Sequence, residues 1–499
     1  MAHASAIGGE RFIRLSIQNR SNLQLVLACT LGLVLGVLFM WLTPLTLFLI
    51  LLGAAFTYAM LTRPELGLLG ILVMTSSVVF EDSLPLIPIG IGSLHLPDAL
   101  LLTLLGLVLV RGLVEPRFRF FRTPLNLPLL IFVGSILLSS SAAIARSSLD
   151  MRVAVRALRP LVYYFAFFAV TNLIRDDRQL RQLLRGIFLL GVVVATAMIG
   201  QYLVGASLPF LAGSVTTLET RGVVFGGVTR VVPPGRSIVL VAFVTTTAIL
   251  AIESPARRRN GELLRWCLLG AALVITFLRS YWVAAAIAIL ILAFLERGRP
   301  LRRLMKLSLL LVTALGIILV ALRLQDRRMN GNLMEGLMDR LSTLGSSSTV
   351  GESSVQFRLI ENEYAIRQFA RQPLLGVGMG AEYRPWDSRI DWLEYGKQGF
   401  DGRAFLHNGH LWILVESGLI AYLSLVWLSV AILVRGFRLR RAVGPLRLQA
   451  VVLGFTLSYL GVLVLAFVNS AFVDWFWTPL IGILMGVNEL AVVNYRVNL

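Results

Sequence analysis

The feature that most constrains this chain is a repetition. Apolar runs recur from residue 23 to residue 492, and most of the short stretches between them are rich in arginine. A long apolar run satisfies its backbone within the roughly 30 Å hydrocarbon core of a bilayer by becoming a helix. With 57% hydrophobic and 15% charged residues and a mean hydropathy of +0.79, the chain reads as a polytopic membrane protein. No soluble catalytic domain of ordinary size is left over, so chemistry falls to loops and helix ends.

The expected spans are 23–43, 44–62, 64–80, 97–114, 124–142, 158–174, 186–204, 237–254, 263–278, 281–295, 307–322, 409–434, 448–468 and 474–492. The fold class is therefore an all-α polytopic membrane protein of about 14 transmembrane helices, 12 to 14 in range, with one long extracytoplasmic loop containing short helices. Three regions follow: a transmembrane bundle over 1–322, a loop subdomain over 323–406 and C-terminal helices over 407–499. With a cytoplasmic N-terminus, the connections "RGLVEPRFRFFR", "RDDRQLRQLLR", "ESPARRRNGELLR", "ERGRPLRRLMK" and "RGFRLRRAVGPLR" all fall on the cytoplasmic side, as positive charge requires. Both termini then face the cytoplasm. That parity holds only if 263–278 and 281–295 form a hairpin. On the opposite side lie 81–98, 145–160, a connection ending in "RGVVFGGVTRVVPPGR" (221–236) and the long loop from Arg323 to Leu406.

Several function classes recede. Cys29 and Cys267 both sit in apolar runs, which argues against a disulfide framework, a zinc cluster or a thiol redox centre. The first apolar run is too long for a signal-peptide core and reads as an uncleaved span. The net charge of +19 is dispersed between spans with no aromatic-rich basic module, so no nucleic acid is expected. No internal repeat points to a transporter, and span interiors are mostly uncharged, Glu416 being the main exception.

Within the long loop, "SSVQFRLIENEYAIRQFARQ" (353–372) reads as an amphipathic helix with Phe357, Ile360, Tyr364 and Phe369 near one side. Pro373 stops it, and "LLGVGMG" (374–380) is a glycine-rich turn. His407 begins the next span at the membrane boundary, where an imidazole accepts a proton from a hydroxyl near neutral pH. Capping or mere interfacial placement is the competing reading. Asn408 either caps the helix or holds substrate. His407 and His410 have metal-pair spacing but no carboxylate cluster beside them, so no metal and no cofactor are predicted.

Arg279 is anomalous for its depth. Thirteen residues separate Arg265 from Leu278 inclusive of the latter, about 20 Å of helix, so the turn at Arg279 falls short of the far face. Arg221, Arg230 and Arg236 share one external connection, and Arg358 and Arg367 lie on the loop helix. Among the basic residues, 44 are Arg and 2 Lys, and the planar guanidinium is suited to binding a diphosphate bidentately. Asp474, in "NSAFVDW", either orients His407 or binds sugar hydroxyls, with an interfacial carboxylate as the plain alternative.

These residues resemble the O-antigen ligase and O-antigen polymerase superfamily of bacterial membrane glycosyltransferases. The family pattern is His, then Asn, Ser or Gln, nine residues, Gly, two residues and Gly, Thr or Tyr. Here His407-Asn408 is followed by 409–417 and Gly418, with Ala421 at the last position as a departure. "TFLRSYWVAAA" (276–286) is similar to the family's span-starting arginine, with Leu278 where a serine is usual, and 358–380 is similar to its Arg-helix-Pro-Leu-Leu-Gly-x-Gly segment. The resemblance implies a GT-C-like fold in the bacterial inner membrane with a periplasmic active site. It implies metal-independent, inverting transfer of a glycan from undecaprenyl diphosphate to an acceptor hydroxyl on a glycan or lipid A core. His407 would be the base, with Arg279 and Arg358, helped by Arg221 or Arg236, holding the diphosphate. A repeat-unit polymerase is the first expectation, with an O-antigen ligase, a protein glycosyltransferase and, remotely, a lipid-linked glycan transporter behind it.

Overall fold

The computed structural model describes residues 57–76, 93–204, 223–253, 261–310, 353–390 and 402–495, together with 53, 78, 87–88, 211, 215–220 and 313. The expected span 23–43, most of 44–62 and 307–322, Cys29 and Arg221 lie outside the described residues. The chain divides into two compact units, Met1–Arg63 and Pro64–Leu499. In the first, residues 57–62 are helical and the Thr57 hydroxyl donates to the Gly53 carbonyl at 2.9 Å.

The second unit is mostly helical. Its elements are α1 (Pro64–Thr75), β1 (Ile87–Pro88), β2 (Ser93–Leu94), α2 (Leu96–Val114), α3 (Asn126–Ala145), α4 (Met151–Val162), α5 (Ala166–Leu173), α6 (Asp177–Val204), β3 (Val215–Thr220), β4 (Val223–Val231), α7 (Arg236–Ile252), α8 (Glu262–Val274), α9 (Arg279–Leu295), α10 (Ser353–Arg371), α11 (Gly409–Leu439), α12 (Leu446–Leu465) and α13 (Thr478–Asn494). Among the described residues, six helical stretches are long and apolar enough to cross a membrane: Leu96–Val114, Asn126–Ala145, Met151–Leu173, Asp177–Val204, Gly409–Ala442 and Leu446–Leu465. Four shorter apolar helices, α1, α7, α9 and α13, accompany them.

Three departures from the sequence reading have local causes. The expected external connection 145–160 is already helical from Met151, because the Asp150 side chain caps α4 by accepting from the amides of Arg152 (2.8 Å) and Val153 (3.3 Å). Pro160 then removes a helical donor, and the chain passes through a 3₁₀ turn at Tyr163–Phe165 before α5. The all-α expectation yields to two small antiparallel ladders, β1 with β2 and β3 with β4. The second pairs Val215 with Val231 and Thr220 with Val223, so the segment entering Arg236 is a hairpin, not a bare loop.

The buried centre is made by α7, α12 and α13. Every residue of α7 from Ser237 to Ala251 is buried, so it is apolar all round, as a helix enclosed by others must be. Two of its threonines satisfy themselves, Thr245 and Thr247 donating to the carbonyls of Val241 (2.7 Å) and Phe243 (2.8 Å).

The arginine-rich connections meet at one end of this unit. There Arg447 grips Glu253 (3.0 Å) and Glu262, Arg440 pairs with Glu296 (2.5 Å), Arg303 donates to the Glu253 carbonyl (2.8 Å), and Arg175 pairs with Glu115 (2.7 Å). The turns expected on the other side meet at the other end, where Gly235 donates to the Ser76 carbonyl (3.1 Å) and the Tyr164 hydroxyl to that of Phe472 (3.0 Å). The expected hairpin is present: α8 and α9 are separate helices whose far ends both reach the arginine-rich end, through Glu262 and Glu296.

Candidate active site

His407 stands one residue before the cap of α11. The Asn408 side-chain oxygen accepts from the amides of His410 and Leu411, both at 3.1 Å, so its oxygen is committed to capping. The first turn is also bolted to the turn between α12 and α13, because the Gly409 amide donates to the carbonyls of Ala466 (2.7 Å) and Asn469 (3.1 Å). The imidazole therefore projects from a fixed point.

The loop helix α10 supplies its partner. Glu361 Oε2 lies 2.8 Å from His407 Nδ1 and 3.3 Å from its backbone nitrogen. A carboxylate only accepts, so Nδ1 carries a proton, and in the neutral imidazole Nε2 then keeps the lone pair for another donor. Glu361 is sealed at 1% exposure while His407 retains 29%, which separates an orienting group from a reachable one. Phe357 and Phe405 meet the ring edge-on at 5.6 and 4.8 Å between centroids. His410, by contrast, turns into the bundle, its Nε2 donating to the Leu463 carbonyl (3.0 Å).

What seats α10 against α11 is a break in α11 itself. Gly418 has φ 77° and ψ −177°, which interrupts the helical hydrogen bonds on either side. The glycine-rich turn fills the gap. Val377 and Gly378 donate to the carbonyls of Val415 (3.0 Å) and Glu416 (2.8 Å), and Leu419 donates to that of Pro373 (2.8 Å). The Ser139 hydroxyl also donates to the Glu416 carbonyl (2.9 Å), and the Glu416 carboxylate accepts from the Gly380 amide (2.9 Å). A Cβ at Gly418 would lie 2.1 Å from the Leu374 carbonyl oxygen, and one at Gly376, with φ 68°, 2.4 Å from that of Val415. Ala421, the departure from the family pattern, is fully buried in this packing.

Arg279 is the first residue of α9, behind a turn in which Phe277 has φ 51°. A bulky residue held in the left-handed region costs about 1–3 kcal/mol, which surrounding contacts must offset. Here the Thr276 hydroxyl accepts from the Leu278 amide (3.2 Å), and Arg230 donates to the Thr276 carbonyl (3.1 Å), tying the β4 hairpin to the turn. Asn469 links this turn to the histidine: its side-chain nitrogen donates to the Ser280 hydroxyl (3.1 Å), while its carbonyl takes the Gly409 amide. Ser280 and Gly409, 129 positions apart in sequence, thus share one asparagine.

Arg236 begins α7, donates to the Tyr281 hydroxyl (3.1 Å) and the Pro233 carbonyl (3.0 Å), and lies 4.6 Å over the Phe476 ring. Asp474 accepts from the Ser470 hydroxyl (2.6 Å). Burial pushes its carboxyl above the ordinary range, against the opposing pull of Ser470, Arg236 and His407. The carboxylate bonded to His407 Nδ1 is Glu361. Arg358 lies one turn ahead of Glu361 on α10 and is half-buried, whereas Arg367 pairs with Glu363 on the exposed side.

Glu361, Asn469 and Ser280 were not singled out from the sequence as site residues. A signal for the first existed: Phe357, Glu361 and Ala365 repeat every four residues, placing an acid within the buried stripe of α10. For Asn469 there was none.

Residues 266–426 match the family model described as O-Antigen ligase. The matched segment runs from α8 into α11 and contains Arg279, Arg358, Glu361, His407 and Gly418, while Arg236 and Asp474 fall outside it. The resemblance to the O-antigen ligase and polymerase superfamily is thereby supported, and with it an activity of the ligase or polymerase type. No curated protein matches the chain.

Proposed function

We propose that the protein is an inverting, metal-independent glycosyltransferase that moves an undecaprenyl-diphosphate-linked glycan onto an acceptor sugar hydroxyl and polymerises O-antigen or exopolysaccharide repeat units. The Glu361–His407 pair, inside the segment matched by the O-antigen ligase family, carries this reading. Glu361 holds Nδ1–H, so His407 Nε2 takes the proton of the acceptor hydroxyl as its oxygen attacks the anomeric carbon. The bond from that carbon to the diphosphate breaks with its electron pair passing to the diphosphate oxygen, and configuration inverts. Arg279 and Arg358 stabilise the charge that develops there. Arg236, fixed by Tyr281 and Phe476, adds positive potential beside them. In this reading the site faces the extracytoplasmic side of the inner membrane.

The description of the matched family favours a second reading, in which the same base serves an O-antigen ligase that transfers the glycan to lipid A core. Purified protein in lipid nanodiscs, given an undecaprenyl-diphosphate-linked repeat unit alone, distinguishes the two. A product ladder lost in His407→Ala supports the polymerase. A single shift that requires lipid A core supports the ligase, and no product with either acceptor refutes both. Activity lost to EDTA and restored by a divalent ion overturns the metal-free step.

A further inference from the structure

Beside α4, and lined by none of the residues assigned to the reaction, lies a cavity of about 750 Å³ between α2 and α4. That is within the usual size of small-ligand clefts. Its lining divides into two chemistries. Arg152, Arg156 and Arg159 lie on α4 at spacings of four and three, which places them along one helical stripe. Leu101 and Leu102 of α2 and Val162 of α4 form an apolar wall.

Asp98 is the sole carboxylate in that lining, and it is already engaged. It accepts from Arg159 Nε (2.9 and 2.8 Å), from the Tyr163 hydroxyl and from the His95 amide (2.9 Å). Arg159 is thereby neutralised and fixed. Arg152 and Arg156 are exposed and form no ion pair among the described residues, so the cavity carries excess positive charge. The opposite face of α4 is closed, since a Cβ at Gly380 would lie 2.8 Å from that of Ala157.

We propose that this cavity binds the phosphate head of an anionic membrane lipid. Arg152 and Arg156 grip the phosphate oxygens through the guanidinium fork. The chain leaves over Leu102 and along the outer face of α2, where Leu109 and Leu113 are 70% and 88% exposed. A free phosphate has no use for the apolar wall. The proposal is independent of the transfer reaction, because it uses no residue assigned to it.

Native mass spectrometry of the full-length protein, titrated with phosphatidylglycerol, chain-matched phosphatidylcholine or inorganic pyrophosphate, tests it. The expected result is preferential retention of phosphatidylglycerol, weakened about tenfold or more in Arg152→Ala/Arg156→Ala. Arg117→Ala/Arg119→Ala, at the other end, should leave it unchanged. Leu102→Asp should weaken the lipid and leave pyrophosphate unaffected. Equal phosphatidylglycerol binding in the Arg152/Arg156 variant, an equal loss in the Arg117/Arg119 control, or pyrophosphate binding that phosphatidylglycerol does not displace would each overturn the proposal.

Discussion

Arginines at two sites, one at each end of the helical unit, are held differently. At the arginine-rich end, Arg447 bridges Glu253 and Glu262, and Arg440 closes on Glu296, so each cation joins helices by meeting a carboxylate. At the end that holds His407, Glu361 is taken by His407 and Asp474 by Ser470. Arg236 there rests on a phenol, carbonyls and an aromatic face. A guanidinium positioned by neutral groups keeps its field for an incoming anion, whereas one clamped between carboxylates has spent it. Charge count alone does not separate rivets from binding groups; the identity of the partner does.

The sharpest way to break this comparison is at the base. His407→Ala should lower transfer by about 10³-fold or more with an unchanged melting temperature; a variant that turns over normally removes the base assignment. Glu361→Gln should lower kcat by about 10²-fold with a smaller change in KM, because Gln either donates or accepts at Nδ1 and no longer selects one tautomer. Arg279→Lys should cost about 10²-fold, since a point charge lacks the fork. Full activity in that variant would move Arg279 into the rivet class. Arg447→Met should do the reverse, sparing turnover per folded molecule while costing about 3 kcal/mol in thermal unfolding, because Glu253 is left buried without its cation and Glu262 keeps only Arg265.

The smallest effect concerns the outer part of the loop. Asp387 accepts from the Tyr364 hydroxyl (3.0 Å) and from Arg389, and these bonds, Arg389 foremost, hold its carboxyl below the ordinary range. Its contribution is therefore full above the ordinary carboxylate value and fades as pH falls toward the lowered one. With Arg389 largely exposed, the effect is small. Limited proteolysis of this segment should quicken below about pH 4 in the wild type, and Asp387→Asn should flatten that dependence.

Much of the bundle was legible from hydropathy. The loop helix expected at 353–372 is observed at Ser353–Arg371, and the span expected from 409 begins at Gly409. Arginine parity anticipated the α8–α9 hairpin, because a single helix would have sent two basic clusters to the wrong side. Other features were not legible, for physical reasons. Hydropathy reports what prefers lipid, so the arginines of Met151–Val162 masked a helix that Asp150 caps. Periodicity on α10 was read for apolar residues, so an acid in the same stripe passed as surface. The break at Gly418 is a tertiary event, stabilised by donors from residues 377 and 378, and no local pattern announces what will fill it.

The distance between Asn408 and Gly418 acts as a ruler. Ten residues of helix measure about 15 Å, with one end set by a cap against the α12–α13 turn and the other by the seam with the glycine turn. Neither end can slide alone. An added residue would advance one end by about 1.5 Å and rotate it by about 100°, carrying the imidazole off Glu361 while leaving composition, hydropathy and every contacting residue type intact. The fixed spacing is thus a statement of phase: it sets the direction in which the base points.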